Sequence, residues 1–428
     1  MAKSLFLSRN SSGANVGFGL TRSYWLGMGA IANITTETNA QTTFRTNGTL
    51  TNLYVFISTN TNNGTSTYKT RKNVGDGSMS VSITSSTTGK FEDTSNSDAI
   101  TAGEEWNYQL ITGGTSGNIV IRHTGSIYEV SGNVVHRMGA GDISQGFSTA
   151  SATVFNCIGG SFFWDTVETD VQYKFQTAGT LRNLFIVVSA NARGTASTVG
   201  TKKNGATTGN LTMSIGASAT GIFEDISNTD VVADNDLWVY TLTTGTGTGS
   251  ITSQNISCEF TTVNNRFHFS CHEEAGVAYG STLQQVDFAS VAGILITRLE
   301  TEVACQQEAN LSMVFSNMEV YVNANTAANN ATVRLRKNGN NGTESLSVTA
   351  STTGWFEDTA GIDNIAETDL INYSIDLVTL VDQVLNINTF AIMAVATSIK
   401  TVNDLAKASV KTINGLAIAS IKTVNDLA

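Results

Sequence analysis

Apolar and polar residues alternate along most of this chain. Leu53, Val55 and Ile57 fall on one side of an extended segment, and Trp106 and Tyr108 repeat the pattern further on. Alternation with a period of two, bounded by Gly, Asn, Ser and Thr, is typical of half-buried antiparallel strands. Tight turns between such strands are predicted at four Asn-Gly pairs, at positions 63–64, 204–205, 338–339 and 341–342.

The sequence Thr-Gly-x-Phe-Glu-Asp occurs three times, and its phenylalanines, Phe91, Phe223 and Phe356, are separated by 132 and 133 residues. The flanking residues keep the same spacing. A Lys-Asn pair precedes each copy, at 72–73, 203–204 and 337–338. Further upstream, a glutamate precedes a phenylalanine by seven residues, at 37 and 44, at 168 and 175, and at 308 and 315. The motif therefore recurs because a whole unit recurs.

A unit of about 132 residues can bury its own core, whereas solenoid repeats are much shorter and depend on their neighbours. The sequence predicts an all-β chain of three tandem jelly-roll-like antiparallel β-sandwich domains, each with about eight strands. The domains are expected at residues 1–134, 135–266 and 267–397, followed by a C-terminal repeat segment at 398–428. Joined end to end, such sandwiches are expected to form a stiff rod.

The repeated motif is interpreted as a structural corner. Its glycine supplies backbone angles that other residues resist, its phenylalanine plugs the end of the core, and its Glu-Asp pair faces water or caps a turn through a carboxylate. Calcium binding is the sharper alternative, because Asp93 and Asp98 share their spacing with Asp225 and Asp230. The corner residues are Gly89, Phe91, Gly221, Phe223, Gly354 and Phe356.

Residues 398–428 repeat an 11-residue sequence, SIKTVNDLAKA, SVKTINGLAIA and SIKTVNDLA. We favour β-structure with turns at Asn-Asp and Asn-Gly; a helix with a right-handed supercoil is the alternative, although asparagine weakens it. So short a segment cannot bury its own apolar side chains, so we expect it to hold copies of the chain together. The proposed assembly residues are Ile399, Val402, Leu405, Val410, Ile413, Leu416, Ile418, Ile421, Val424 and Leu427.

The composition of the chain bears on which kinds of binding partner to expect. A net charge of −11 leaves no basic stripe for nucleic acid. The apolar run in MAKSLFLSRN is too short for a signal peptide, and no stretch approaches the length of a membrane span. We therefore expect no nucleic-acid binding and no membrane insertion. Proline is absent, so glycine and asparagine must make the turns.

The sequence contains no nucleophile elbow, phosphate-binding loop or dinucleotide fingerprint, so we expect no enzymatic activity, no catalytic residues and no cofactor. His268, Cys271 and His272 could offer metal ligands, but this cluster occurs in one copy only, and no metal site is predicted. The four cysteines are interpreted as buried thiols, with a disulfide or a metal site as the alternative.

The unit GTLTNLYVFISTNTNNGTSTYKTRKN…SITSSTTGKFEDTSNSDAITAGEEWNYQLITGGTSG resembles repeats in uncharacterised virion structural proteins of tailed bacteriophages, many of them marine or metagenomic. The end SIKTVNDLAKASVKTINGLAIASIKTVNDLA is similar to short repeats that close such proteins. This resemblance implies a structural protein on the outer surface of a virion, as a capsid decoration, head fibre or tail appendage. It implies a homo-oligomer, a trimer by analogy with phage fibres, in contact with other virion proteins.

Two other functions stay open at this point. A carbohydrate-binding adhesin or receptor-binding module would contact host-surface glycans through exposed aromatic platforms, for which Trp25, Trp164 and Trp355 are candidates. A hydrolase on a β scaffold is the third alternative, because paired carboxylates need not be close in sequence.

Overall fold

The predicted all-β class is confirmed. The computed structural model describes residues 2–19, 22–25, 29–30, 34–131, 134–158, 164–205, 207–262, 266–279, 283–286, 298–299, 302–377, 384–397, 401–402, 405–406, 412–413 and 416–417. Within these residues the backbone forms strands, one four-residue helix, α1 (Glu302–Cys305), and two 3₁₀ turns, Glu37–Asn39 and Glu168–Asp170.

Residues 2–130, here called unit 1, form two facing sheets. One sheet has the order β3-β1-β10-β5-β8, and the other has the order β2-β9-β6-β7, with β4 also on β9. The chain crosses between the two sheets several times, whereas β6 and β7 follow each other as antiparallel neighbours in one sheet. The strands are β1 (Ala2–Gly17), β2 (Arg22–Trp25), β3 (Gly29–Ala30), β4 (Thr42–Thr43), β5 (Gly48–Asn60), β6 (Ser66–Lys72), β7 (Gly75–Ile83), β8 (Gly89–Ile100), β9 (Glu105–Ile111) and β10 (Asn118–Val130).

Residues 134–262, unit 2, repeat this arrangement with the orders β11-β19-β14-β17 and β12-β18-β15-β16, and with β13 on β18. The strands are β11 (Val134–Phe147), β12 (Thr153–Asn156), β13 (Tyr173–Lys174), β14 (Gly179–Asn191), β15 (Ser197–Lys203), β16 (Thr207–Ile215), β17 (Gly221–Val232), β18 (Leu237–Thr243) and β19 (Ile251–Thr262).

Residues 266–396, unit 3, have the orders β20-β29-β24-β27 and β22-β21-β28-β25-β26, with β23 on β28. The strands are β20 (Arg266–Tyr279), β21 (Leu283–Val286), β22 (Arg298–Leu299), β23 (Gln307–Glu308), β24 (Met313–Asn325), β25 (Ala331–Lys337), β26 (Asn340–Val348), β27 (Gly354–Ile365), β28 (Leu370–Leu377) and β29 (Leu385–Ala396).

The core of each unit lies between its two sheets and is rich in aromatic rings. In unit 2, Phe175 is fully buried and packs edge-on against Trp238, with ring centroids 6.4 Å apart, and against Phe260 at 5.0 Å. In unit 1, Phe44 contacts Trp106 in the same way. Full burial of such a side chain is worth about 1.5–3 kcal/mol, so these rings are a main source of each unit's stability.

The strand register corrects one sequence alignment. Glu37 pairs with Arg71, and in unit 3 the matching ion pair joins Glu302 to Arg336, at 2.8 Å, so Glu302 and not Glu308 is the equivalent glutamate. Phe315 pairs with Asp363 in the way that Leu50 and Leu181 pair with their own aspartates. Unit 3 thus has Ala309 where the other units have the buried Phe44 and Phe175. It has the larger Phe315 where they have Leu50 and Leu181.

The repeated glycines have φ angles of +107°, +108° and +112° at Gly89, Gly221 and Gly354, a region in which other residues are strained. Phe91, Phe223 and Phe356 are only partly buried, because each lies on an edge strand (β8, β17 or β27) and packs against the rim of the core.

Of the two alternatives for the aspartates of the motif, exposure to water is wrong for Asp93 and Asp225, which are buried, and the carboxylate of Asp225 caps a turn. Asp225 accepts hydrogen bonds from the backbone N–H groups of Thr212 (2.9 Å), Ser227 (3.1 Å) and Asn228 (3.1 Å). Burial alone would raise the pKa of Asp225, but these hydrogen bonds hold it below its usual range. The aspartate therefore ties its edge strand to the facing sheet, and this role accounts for its recurrence in every unit.

The described part of the C-terminal segment consists of two short antiparallel ladders. In one, Val402 pairs with Leu405, and in the other Ile413 pairs with Leu416, so each ladder brackets an Asn-Asp or Asn-Gly pair. These strands, β30 (Thr401–Val402), β31 (Leu405–Ala406), β32 (Thr412–Ile413) and β33 (Leu416–Ala417), agree with the β interpretation. The other assembly candidates, Ile399, Val410, Ile418, Ile421, Val424 and Leu427, lie outside the described residues.

Candidate functional site: the interfaces between the units

Three short strands, β4, β13 and β23, occupy the same place in the three units. Each pairs with the strand that carries the central aromatic residues, and the register makes Thr43, Lys174 and Glu308 equivalent positions. Each of these strands lies against the neighbouring unit. The interfaces therefore use one surface of the fold three times, with different side chains.

Unit 1 contacts unit 2 through hydrogen bonds to two glutamates. The backbone N–H of Arg45 donates to Glu259, at 2.8 Å, and its guanidinium donates to Glu224, with Nε 3.1 Å from Oε1. The hydroxyl of Thr46 donates to Glu259 at 3.0 Å, and it accepts from Arg182 at 2.7 Å. The hydrogen bond to Glu224 raises the pKa of Arg45, so the guanidinium keeps its positive charge at any physiological pH.

Unit 2 contacts unit 3 through Lys174. Its Nζ lies 2.6 Å from Glu319 and 2.7 Å from Glu357, and it sits over the ring of Trp355. Burial raises the pKa of Glu319 to about 8, whereas the hydrogen bond from Lys174 lowers the pKa of Glu357. Burial therefore opposes the charge on Glu319, whereas Lys174 favours the charge on both glutamates.

Two further contacts join these units. The amide of Gln176 donates to the carbonyl of Asn317 at 2.5 Å. The hydroxyl of Tyr173 is hydrogen-bonded to Nδ1 of His268, which is buried. The histidine that the sequence singled out as a possible metal ligand thus takes part in an interface, and the side chains of Cys271 and His272 lie outside the described residues.

Unit 3 contacts unit 1 with the charges exchanged. Glu308, at the position of Lys174, lies 2.7 Å from Nζ of Lys90, which also pairs with Glu92 at 2.8 Å. Gln307 donates to the hydroxyl of Tyr54 at 3.2 Å. Because unit 3 contacts unit 1 as well as unit 2, the units close into a ring, and the expectation of a stiff rod is wrong. Strand β11 also contacts β1 and β20, so the first strands of the units meet inside the ring.

The interfaces are not interchangeable. Lys174 faces Glu319 and Glu357, whereas the corresponding surface of unit 1 presents Lys90. If unit 2 docked onto unit 1 in the wrong order, Lys174 would face Lys90, and like charges at an interface are costly. Glu92 lies at the position of Glu357, so Lys174 would also meet one acid there, and the side chains at this position favour the observed order without setting it alone.

Sequence reasoning missed Glu259 and Glu319, although a signal for both is present. Glu259 stands where the other units have Ile127 and Met393, and Glu319 stands where they have Tyr54 and Phe185. A charged residue in one copy at an otherwise apolar position marks a contact that only this copy makes.

The aromatic platforms expected of an adhesin are placed differently. Trp164 is buried and donates through Nε1 to Ser253 at 3.1 Å, so it is a core residue and not a platform. Trp355 is partly buried against Tyr321, with ring centroids 5.2 Å apart, at the interface of units 2 and 3. The side chain of Trp25 lies outside the described residues.

Cys157, Cys258 and Cys305 are buried. Within the described residues, His, Cys, Asp and Glu side chains form no group of three or more that could hold a metal ion. The aspartates proposed as calcium ligands use their oxygens on N–H and O–H donors instead; Asp98, for example, accepts from the backbone of Ser78 and the hydroxyl of Thr70.

Another glutamate of unit 3, Glu344, stands where the other units have the core residues Met79 and Leu211. It is fully buried, and one of its oxygens accepts from the backbone of Met318 at 3.1 Å. Burial, with nearby Asp358 and Asp363, raises its pKa to about 8.

This raised pKa predicts a pH dependence of unit 3. Between the ordinary carboxyl pKa and about 8, Glu344 is protonated when folded and ionised when unfolded, so stability falls as pH rises. We expect Glu344→Gln to stabilise unit 3 above pH 8 and to flatten urea midpoints measured between pH 5 and pH 9. Glu319 adds a second contribution that this variant keeps. Glu367→Gln, an exposed change in the same unit, is the control; an unchanged slope in Glu344→Gln would contradict the prediction.

The chain matches no model of a known protein family, and no curated protein matches it. Among the described residues, no helix is long and apolar enough to cross a membrane.

Proposed function

We propose that this chain is a structural protein on the outer surface of a bacteriophage virion, where it acts by assembly and not by catalysis. The resemblance of its repeats to those of tailed-phage structural proteins supports this role. The observation that carries the proposal is the closed ring, because a ring with a fixed cyclic order is a rigid building block. Capsid decoration, head fibre and tail appendage are all compatible with such a block.

The C-terminal segment is proposed to join copies of the ring. It follows β29 directly, and the backbone of Thr397 is held at 2.9 Å by Ser312 of the same unit. Each apolar side chain of the segment is worth about 1.5–3 kcal/mol when fully buried, and contact with sister chains is one way to bury it. Because one chain already supplies three units, the number of chains is set by this segment and not by the ring.

Deletion of residues 398–428 tests the assembly role. We expect light scattering to give an oligomer, proposed to be a trimer, for the full chain and a monomer for the shortened one, with the same thermal unfolding of the ring in both. An oligomer that survives the deletion would move the assembly surface to the ring. A full-length monomer would remove the proposal that the chain assembles with itself.

The virion location is tested by immunogold electron microscopy. Antibodies against the purified ring, applied to particles from a host that carries the gene, are expected to label intact virions at the head or the tail. Mass spectrometry of gradient-purified particles should detect the chain at tens of copies or more. Labelling of cell envelopes without particles would instead favour a cellular adhesin.

A carbohydrate-binding adhesin is the second candidate. It is favoured by a cleft between units 1 and 2 that is lined by Gln41, Glu105 and Ile222 among others. This cleft also fits a receptor-binding role on a virion, so the two candidates share its chemistry.

A further inference from the structure

A cleft of about 360 Å³ opens between unit 1 and unit 2. One wall comes from the turn that precedes β4, and the other comes from β14 and from the glycine corner that begins β17. Gly221 has no neighbouring atom within 4 Å of the place where a side chain would begin, so the corner leaves the mouth of the cleft open. This volume lies in the lower part of the range for small-molecule sites, about 300–1,000 Å³.

The lining combines oxygen-rich and apolar side chains. Hydroxyl, amide and carboxylate groups come from Thr38, Asn39, Gln41, Glu105, Ser189 and Thr220, and the apolar surface comes from two valines and an isoleucine. Among the residues that the structure describes, no lysine, arginine or histidine lines this cleft, so they offer nothing to pair with an anion. Such a lining matches a ligand that carries hydroxyl groups beside apolar C–H surface.

Gln41 gives a separate indication of a ligand. It is 1% exposed, and its Oε1 has no hydrogen-bond partner within the described part of the chain. A buried carbonyl oxygen without a partner is destabilising, so a hydroxyl donor, directly or through one bridging water, would be favoured there. Glu105 adds a second acceptor, and burial raises the pKa of its carboxyl.

We propose that the cleft between units 1 and 2 binds one neutral hexose residue of a glycan. Gln41 and Glu105 accept hydrogen bonds from its hydroxyls, and Val187 and Ile222 contact its C–H surface. The site does not depend on the virion location, since a virion appendage and a cellular adhesin could both use it.

The other two interfaces show what is particular to this one. The equivalent cleft between units 3 and 1, of about 300 Å³, is lined by Phe56, Arg122 and Gln306 among others, and no carboxylate lines it. Between units 2 and 3, the register places Trp355 and Tyr321 at the positions of Ile222 and Val187. Two aromatic rings thus take the place of smaller side chains, which supplies a natural design for blocking the site.

The test uses the full chain and saturation-transfer difference NMR with glucose, galactose, mannose and N-acetylglucosamine as probes. Glucosamine and glucuronic acid serve as charged comparisons. We expect saturable binding of at least one neutral sugar with a Kd of roughly 1 mM, which corresponds to about −4 kcal/mol. Binding that needs a positive or a negative charge on the sugar, or no binding at all, would overturn the proposal.

Ile222→Trp fills the cleft as unit 3 does, and Glu105→Gln changes one acceptor without changing shape. We expect at least a tenfold loss of binding in the first and a weaker loss in the second, with thermal unfolding within a few degrees of the parent. Gln306→Leu, in the other cleft, is the matched control and should bind normally. If Gln306→Leu loses binding while Ile222→Trp keeps it, the assigned cleft is wrong, whatever the immunogold experiment shows.

Discussion

Replacing Lys174 by glutamate is expected to lower the free energy of unfolding by about 3–5 kcal/mol, which is the usual cost of breaking a buried ion pair. The new carboxylate would face Glu319 and Glu357, which now lie 2.6 and 2.7 Å from the lysine nitrogen. The interface of units 2 and 3 should open first, so limited proteolysis is expected to cut this variant faster than the parent. Urea unfolding followed by tryptophan fluorescence measures the loss.

Lys203→Glu is the matched control for this charge reversal. It makes the same change in the same unit, but Lys203 is more exposed and lies 3.4 Å from Asp236, so we expect a loss of about 1 kcal/mol or less. Adding Glu357→Lys to Lys174→Glu should recover at least half of the lost stability, because attraction is restored across the same interface. Equal losses for Lys174→Glu and Lys203→Glu would show that this contact does not close the ring.

The second large effect is expected in the core of unit 2. Phe175→Ala should cost about 3–5 kcal/mol, because the ring is fully buried and its loss leaves a cavity beside Trp238 and Phe260. Phe223→Ala should cost about half as much, because that ring is partly exposed at the edge of the sheet. Differential scanning calorimetry of both variants measures the difference.

Unit 3 supplies a control within the same molecule. Ala309 stands at the position of Phe175, so Ala309→Gly removes one methyl group from the equivalent place and should have a much smaller effect than Phe175→Ala. If Phe223→Ala costs as much as Phe175→Ala, the repeated phenylalanine carries more of the core than its exposure indicates.

The strands and their repetition could be predicted because they depend on local pattern. Alternation places Leu53, Val55 and Ile57 on the inner face, and all three are buried. The role of the glycine in each motif could be predicted because a positive φ angle favours glycine over other residues. Gly89 has such an angle. The burial of Asp93 could not be derived in the same way, because its partner, the backbone of Ser80, belongs to a different strand.

The sequence by itself determined the all-β class, the repeated units and the residues that recur at each corner, since these follow from periods along the chain. Only the tertiary structure decided that the units close into a ring, that Lys174 and Glu308 occupy one position with opposite charge, and that a cleft opens beside Gln41. These features join residues that are far apart in the chain, such as Lys90 and Glu308, which are 218 positions apart, and no local period records which surfaces meet. The physical reason is that side-chain alternation fixes which face of a strand is buried, whereas the match of charge and shape between distant surfaces fixes how complete units pack.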